Sequence, residues 1–223
     1  MDTSKTLEYF NAAQFGDAIH IIGCGSVGSS IAEMLARVGF RNFVLYDFDE
    51  VEPHNIANQM FTDIQIGQRK TEALRDLLVS INPDIAQTIR LEGKWERGML
   101  ISGFVFLCLD NIDIRRDFVE DNQFNASIRC VLDCRTGLTK ASAYGAKWSE
   151  RKQVENLLKS MQYTHEEAMA DTPVTACGRV LGVVTTVRIV TTLCIANFIN
   201  YLKYGTLKIL IDADLETFEI QAY

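Results

Sequence analysis

The strongest constraint on this chain is the segment GCGSVG at residues 23–28, together with what flanks it. Before it, residues 17–22 form a short apolar run. After it, residues 29–39 carry apolar side chains at helical spacing and stop at Gly39. Glycines at Gly23, Gly25 and Gly28 permit a tight reversal and let backbone approach a ligand with no Cβ in the way. The segment therefore predicts a strand, a turn and a helix laid back over that strand. Strand-like and helix-like stretches then alternate through the first 135 residues. That alternation predicts an α/β fold: a Rossmann-like, mainly parallel sheet with helices on both faces.

Residues 1–16 read as a short helix or arm. Residues 42–47 and 103–109 are apolar runs of the kind seen in covered strands, and 129–133 continue that pattern. Residues 67–80 have helical spacing, with Leu74, Leu77, Leu78 and Ile81 on one side, and 112–124 read as another helix. Residues 84–91 are expected as a strand. Beyond them the pattern changes. Residues 138–148 alternate as an antiparallel strand does, while 149–172 are polar and predict an exposed helix and a mobile crossover loop. Residues 207–211 and 217–221 flank Asp212–Leu215, predicting a terminal hairpin that turns there. The expected whole is one domain over residues 1–223, its sheet extended by antiparallel strands toward the C-terminus.

Composition removes several classes of function. The net charge is −7 with no run of five like charges, which argues against a nucleic-acid surface. Residues 180–202 are long and largely apolar, but Arg188 near their middle makes a buried helix the expected structure and not a membrane span. The N-terminus has no apolar signal core. Six cysteines without a close C-x-x-C pair predict reduced thiols in a cytoplasmic protein without structural zinc.

The chemistry gathers at the strand ends. Asp47 stands nineteen residues after Gly28 at the end of the second strand, the place of an acid that holds ribose hydroxyls. Gly23, Gly25, Ser26 and Gly28 would underlie phosphate, at a helix N-terminus with unpaired N–H groups. A dinucleotide enzyme and an ATP-using enzyme share these features. The residues after Asp47 favour ATP. Asp49, Asn55, Asn58 and Gln59 follow closely, and Arg69 and Lys70 bring cations to the next helix. Asp110, after the strand at 103–109, suits Mg²⁺ held jointly with phosphate oxygens. Of the histidines, His20 is expected to be structural and His54 to shape the loop; His165 shows no partner in the sequence.

The combination of the glycine loop, DFDEVE at 47–52 with Asn55 and Gln59, Gly67 with Lys70, and Asp110-Asn111 resembles the ThiF/MoeB/HesA family, bacterial relatives of ubiquitin-activating enzymes. The resemblance covers roughly residues 18 to 205. It implies adenylation of the C-terminal carboxylate of a small ubiquitin-fold or sulfur-carrier partner, with Mg·ATP consumed and pyrophosphate released, by a probable homodimer. It implies Asp47 on the ribose, Asn55, Gln59 and Lys70 around the phosphates, and Asp110 on Mg²⁺. The chain departs from the family pattern at Asn58, where an arginine is usual. Arg69, Arg115 and Arg116 are the expected substitutes. Cys177 precedes the helix at 180–202, and related enzymes use a cysteine in this region for a covalent intermediate. Alternatives are a nucleotide-binding interaction module without catalysis, an NAD(P)-dependent oxidoreductase, and, more weakly, activation of a tRNA base.

Overall fold

Strand β1 (Ile19–Ile22) is the axis of the fold in the computed structural model, which describes residues 1–2, 4–170 and 181–223. The chain turns into α1 (Ser26–Val38) and returns as β2 (Phe43–Tyr46), parallel to β1. Helix α2 (Lys70–Ile81) leads to the short β3 (Arg90–Glu92) on the outer side of β2. The chain then crosses to the other side of β1 with β4 (Gly103–Leu107), α3 (Ile112–Asn122) and β5 (Ile128–Thr136). From β5 the direction reverses. Strand β6 (Lys140–Lys147) is antiparallel; helices α4 (Arg151–Lys159), α5 (His165–Ala170) and α6 (Val184–Tyr204) follow; β7 (Leu210–Asp214) and β8 (Glu219–Ala222) close the chain. The sheet order is β3-β2-β1-β4-β5-β6-β7-β8. It is a Rossmann-like sheet with a parallel half and an antiparallel extension.

Alternation along each strand feeds two cores. Ile19 and Ile21, Phe43 and Leu45, and Phe104 and Phe106 face one layer with residues of α1, α2 and α6. Ile22, Val44, Tyr46, Val105 and Leu107 face the other layer with residues of α3 and α4. Helix α6 buries a stripe at Val187, Val190, Cys194 and Phe198. Phe198 meets Phe104 edge-on at 5.0 Å and Phe106 at 5.2 Å, so removing its ring would cost roughly 3–5 kcal/mol. The helix ends at Gly205, whose φ of 67° is the left-handed stop that glycine favours. Among the described residues no helix is long and apolar enough to cross a membrane.

Three expectations need correction. Residues 84–91 do not form one strand. Pro83 starts a single 3-10 turn through Gln87, held by the Asn82 side chain, and only Arg90–Glu92 pair. The helix expected at the start of residues 149–172 is α4, but it is not simply exposed: it buries Val154 and Leu157, so its charged composition describes only its outer side, and α5 follows at His165–Ala170. The terminal hairpin turns after Asp214. Asp212 and Asp214 lie inside β7, where Asp212 accepts a 2.6 Å bond from Ser142 Oγ on β6, a cross-strand partner that the local sequence does not reveal. The N-terminal residues form an arm, with Phe10 N–H bonded to the Thr6 carbonyl at 2.8 Å, a 3-10 turn at Ala12–Gln14 capped by Asn11, and Phe10 stacked on Phe15.

His20 faces the second core with Nδ1 3.0 Å from the Tyr46 hydroxyl. Burial, and secondarily the charge of Arg90, pulls its pKa down to about 4 from an ordinary 6.5. The folded ring is thus neutral where the unfolded one takes a proton. Its contribution is complete above pH 6.5 and is lost as pH falls through about 4. Urea denaturation at pH 7 and pH 4.5 should show His20→Leu losing less stability on acidification than the parent, by about 2 kcal/mol. Equal losses in the two proteins would rule out His20 as an acid-sensitive group.

Candidate functional site

Three strand ends meet at one place. Ile22 of β1 pairs with Tyr46 of β2 on one side and Leu107 of β4 on the other. The glycine loop therefore emerges between Asp47, which follows β2, and the segment to Asp110, which follows β4. Helix connections diverge from β1 in opposite directions here, the switch point where open α/β sheets leave a crevice.

Each glycine of the loop has its own reason. Gly23 has φ 94°, and a Cβ on it would lie 2.9 Å from the Cys108 carbonyl oxygen. A Cβ on Gly28 would lie 1.8 Å from the Gly23 carbonyl oxygen, so α1 rests on the loop backbone-to-backbone. A Cβ on Gly25 would meet nothing within 4 Å. The space over Gly25 is open, and it sits at the start of α1. The first helical bond, Ser29 N–H to Gly25 carbonyl at 2.9 Å, leaves the N–H groups of Ser26, Val27 and Gly28 ahead of any helical partner. Such an end attracts anions.

Asp47 is oriented by the same loop. Its Oδ2 accepts from Cys24 N–H at 2.7 Å and its Oδ1 from Asp49 N–H at 2.9 Å. Burial pushes its pKa up from the usual carboxylate value, opposed by those donors and by the Lys70 charge. Asp49–Val51 then pair with Gly67–Lys70 through backbone bonds, including Lys70 N–H to Asp49 carbonyl at 2.9 Å. This small ladder folds the polar loop back on itself. It brings Lys70 Nζ to 2.7 Å from Asp49 Oδ2, with the lysine side chain 10 % exposed and the aspartate 51 %.

The amides divide. Asn55 is buried and its Oδ1 accepts from Glu52 N–H at 2.8 Å, so half of this amide is a loop brace. Gln59 carries a buried Oε1 with no hydrogen-bond partner among the described residues. Asn58 is half-buried and packs beside Gly182, where a Cβ would meet its Nδ2 at 2.7 Å. Asp110 is exposed, and among the described residues it has no ion pair.

Two of the three expected substitute arginines are engaged elsewhere. Arg115 is buried. It pairs with Asp133 and donates to the carbonyls of Leu107, Leu109 and Cys134, closing the ends of β4 and β5. Arg116 pairs with Asp113 and donates to the Met161 and Tyr163 carbonyls, at 2.9 and 3.0 Å. Arg69 is exposed at the start of α2 and forms no ion pair among the described residues. The sequence reading passed over a fourth arginine. Arg188 of α6 donates to Ser30 Oγ at 2.8 Å and to Met60 Sδ at 2.7 Å, beside the amide loop. Its only signal in the sequence was a charge inside an apolar helix.

Cysteines 24, 108, 130, 134 and 194 are buried free thiols. Burial holds Cys24, Cys108, Cys130 and Cys194 above the ordinary thiol range. Cys177 lies outside the described residues. Among the described residues no group of three or more metal-ligating side chains converges. His165 Nδ1 is buried without a partner, while its backbone N–H donates to Asp113 at 3.2 Å.

The glycine contacts give a direct contrast. Gly28→Ala should lower the melting temperature by several degrees, because α1 must lift off the loop, at a cost of roughly 1–3 kcal/mol. Gly25→Ala should leave it within about one degree. Thermal unfolding of the two variants checks this, and equal losses would contradict the geometry.

Comparison with known proteins bears on the family. A ThiF family profile matches residues 17–203. Ubiquitin-like modifier-activating enzyme 5 of Caenorhabditis briggsae is 34 % identical over 112 residues, covering 44 % of this chain and 26 % of that protein. Molybdopterin-synthase adenylyltransferase of Escherichia coli K12 is 38 % identical over 111 residues, covering 48 % of this chain and 42 % of that protein. The chain thus spans less than half the length of these curated relatives. In structure it resembles E. coli MccB with bound ATP, at TM-score 0.67, 16 % identity and coverage of 93 % of this chain and 63 % of that one. It also resembles PaaA, at TM-score 0.67 and 14 % identity, covering 100 % of this chain and 74 % of that one. These likenesses in structure are likenesses of fold. With the profile extending from two residues ahead of β1 to the last turn of α6, the chain belongs to the ThiF family.

Proposed function

We propose that this chain is an ATP-dependent adenylating domain acting on the C-terminal carboxylate of a small ubiquitin-like or sulfur-carrier protein. The observation that carries this reading is the open cradle over Gly25 at the head of α1, bordered by Asp47 and Lys70. In the reaction, a carboxylate oxygen of the partner attacks the α-phosphorus. The bond from that phosphorus to the bridging oxygen breaks, pyrophosphate leaves, and an acyl-adenylate remains. Negative charge grows on the phosphoryl oxygens and on the leaving group. The helix N–H groups, Lys70 and the amides of Asn58 and Gln59 are arranged to meet it. Asp47 would hold the ribose. No protein nucleophile enters this step.

Asp110 is the carboxylate suited to Mg²⁺. It is exposed and, among the described residues, is not joined by two further protein ligands. That fits an ion taking its remaining ligands from phosphate and water, as Mg²⁺ does. Bound there, the ion would neutralise charge on the phosphate chain. We further propose a homodimer, and that in a later step the Cys177 sulfur attacks the acyl carbon of the acyl-adenylate, forming a thioester as the bond to the phosphate oxygen breaks and AMP leaves.

A second reading, nucleotide binding without catalysis, is favoured by the amide at Asn58 where a cation would serve better. Pyrophosphate–ATP exchange in the presence of partner candidates separates the two. Exchange should require Mg²⁺ and a partner with a free C-terminus, fall at least a hundredfold in Asp110→Ala, and persist in Cys177→Ala. Exchange at the parent rate in Asp110→Ala would remove that carboxylate from the mechanism. Calorimetry with ATP and NAD gives the broader check: tight NAD binding without ATP binding would overturn the adenylation reading in favour of an oxidoreductase.

A further inference from the structure

Arg188 has an unusual set of partners. A guanidinium offers five N–H donors, and half-buried ones are normally matched to a carboxylate. Here the described partners are a neutral hydroxyl, Ser30 Oγ at 2.8 Å, and a thioether, Met60 Sδ at 2.7 Å. Among the described residues no carboxylate lies within ion-pair distance of it. Of the other cations near the strand ends, Arg69 is exposed and three are paired. Lys70 is paired with Asp49, Arg115 with Asp133 and Arg116 with Asp113. Arg188 is therefore a positive charge held in place without a counter-ion among the described residues.

Its location gives that charge a purpose. Ser30 is on α1, one turn beyond the helix start that borders the open space over Gly25. Met60 directly follows Asn58 and Gln59, and its N–H donates to Ser29 Oγ at 3.1 Å, fixing this loop against α1. Gly182, just ahead of α6, packs on Asn58. The first turns of α1 and α6 and the amide loop thus border one corner, and among the described residues no carboxylate pairs with Arg188 there. Two of the guanidinium groups' nitrogens are committed to weak neutral partners, leaving donors free for a stronger one.

We propose that Arg188 contacts the phosphate chain of the bound nucleotide, so that α6 supplies the guanidinium on this side of the site. The assignment rests on the nucleotide reading above and names a residue that reading does not use. A charge-assisted contact of this kind is worth roughly a tenfold to hundredfold change in affinity.

The test uses calorimetry with inorganic pyrophosphate, Mg·ATP and adenosine on the parent, Arg188→Gln and Arg188→Lys. Glutamine keeps an amide donor for Ser30 and removes the charge; lysine keeps the charge. Arg188→Gln should lose at least roughly tenfold in affinity for pyrophosphate and for ATP, with adenosine affinity and melting temperature unchanged, and Arg188→Lys should recover most of the loss. Unchanged ATP and pyrophosphate affinity in Arg188→Gln would overturn the assignment while leaving the nucleotide reading intact. So would equal weakening of ATP and adenosine with a lower melting temperature, because Arg188 would then be a brace between α6 and the loop. A parent that binds neither ATP nor pyrophosphate would sink both.

Discussion

The site depends on a contact without side chains: Gly28 of α1 against the carbonyl of Gly23. A Cβ at Gly28 would sit 1.8 Å from that oxygen, so only glycine lets the helix begin directly over the end of β1. This closeness fixes the direction of α1, and with it the aim of the N–H groups at its start. It also keeps the loop low enough for Cys24 N–H to reach Asp47 at 2.7 Å, across from β1 to β2. Helix α6 packs on α1 and brings Arg188 to Ser30. A larger residue at position 28 would disturb the loop, the acid and the cation together.

The charges around the strand ends fall into two kinds. One kind is structural. Asp133 has no solvent exposure and lies between Arg115 and Arg135, whose guanidinium also stacks 4.2 Å from the Tyr144 ring. Arg115 spends its remaining donors on carbonyls at the ends of β4 and β5. Removing one partner of such a buried pair typically costs about 3–5 kcal/mol, because the other charge is left without compensation. These bonds brace the chain on the approach to Asp110. The second kind is weakly paired, or unpaired among the described residues: Lys70, Arg188 and the exposed Arg69. Sequence proximity does not separate the kinds, since Arg115 and Arg116 are nearer to Asp110 in the chain than Arg188 is.

Much of the parallel half was legible in the sequence because its signals are local. The glycine loop, the apolar runs of β1, β2 and β4 and the stop of α1 at Gly39 each carry their cause within a few residues. The misread parts are those whose cause is distant. Asp212 lies in β7 because Ser142 on β6 accepts it as a neighbour, although Asp-Ala-Asp alone suggests a turn. Residues 151–159 look solvated by composition, yet Val154 and Leu157 are enough to seat α4 on the sheet. The roles of Arg115 and Arg188 are set by tertiary contacts, from β5 and from α1. An arginine in an apolar helix could be read only as evidence against a membrane span.

The two cations nearest the cradle are held in different ways, and the difference bears on how a nucleotide would enter. Lys70 is buried but its partner Asp49 is half-exposed, so their 2.7 Å pair is screened on one side by water. Exposed or half-exposed pairs contribute little to stability, about 1 kcal/mol or less. Lys70 can therefore exchange Asp49 for a phosphate oxygen at small cost, while the pair keeps the lysine from wandering before a ligand arrives. Arg188 gives up even less, since a hydroxyl and a thioether are weaker partners than phosphate. Both cations are thus positioned in advance and weakly satisfied. That combination favours charge that develops during a reaction over charge already balanced by the protein.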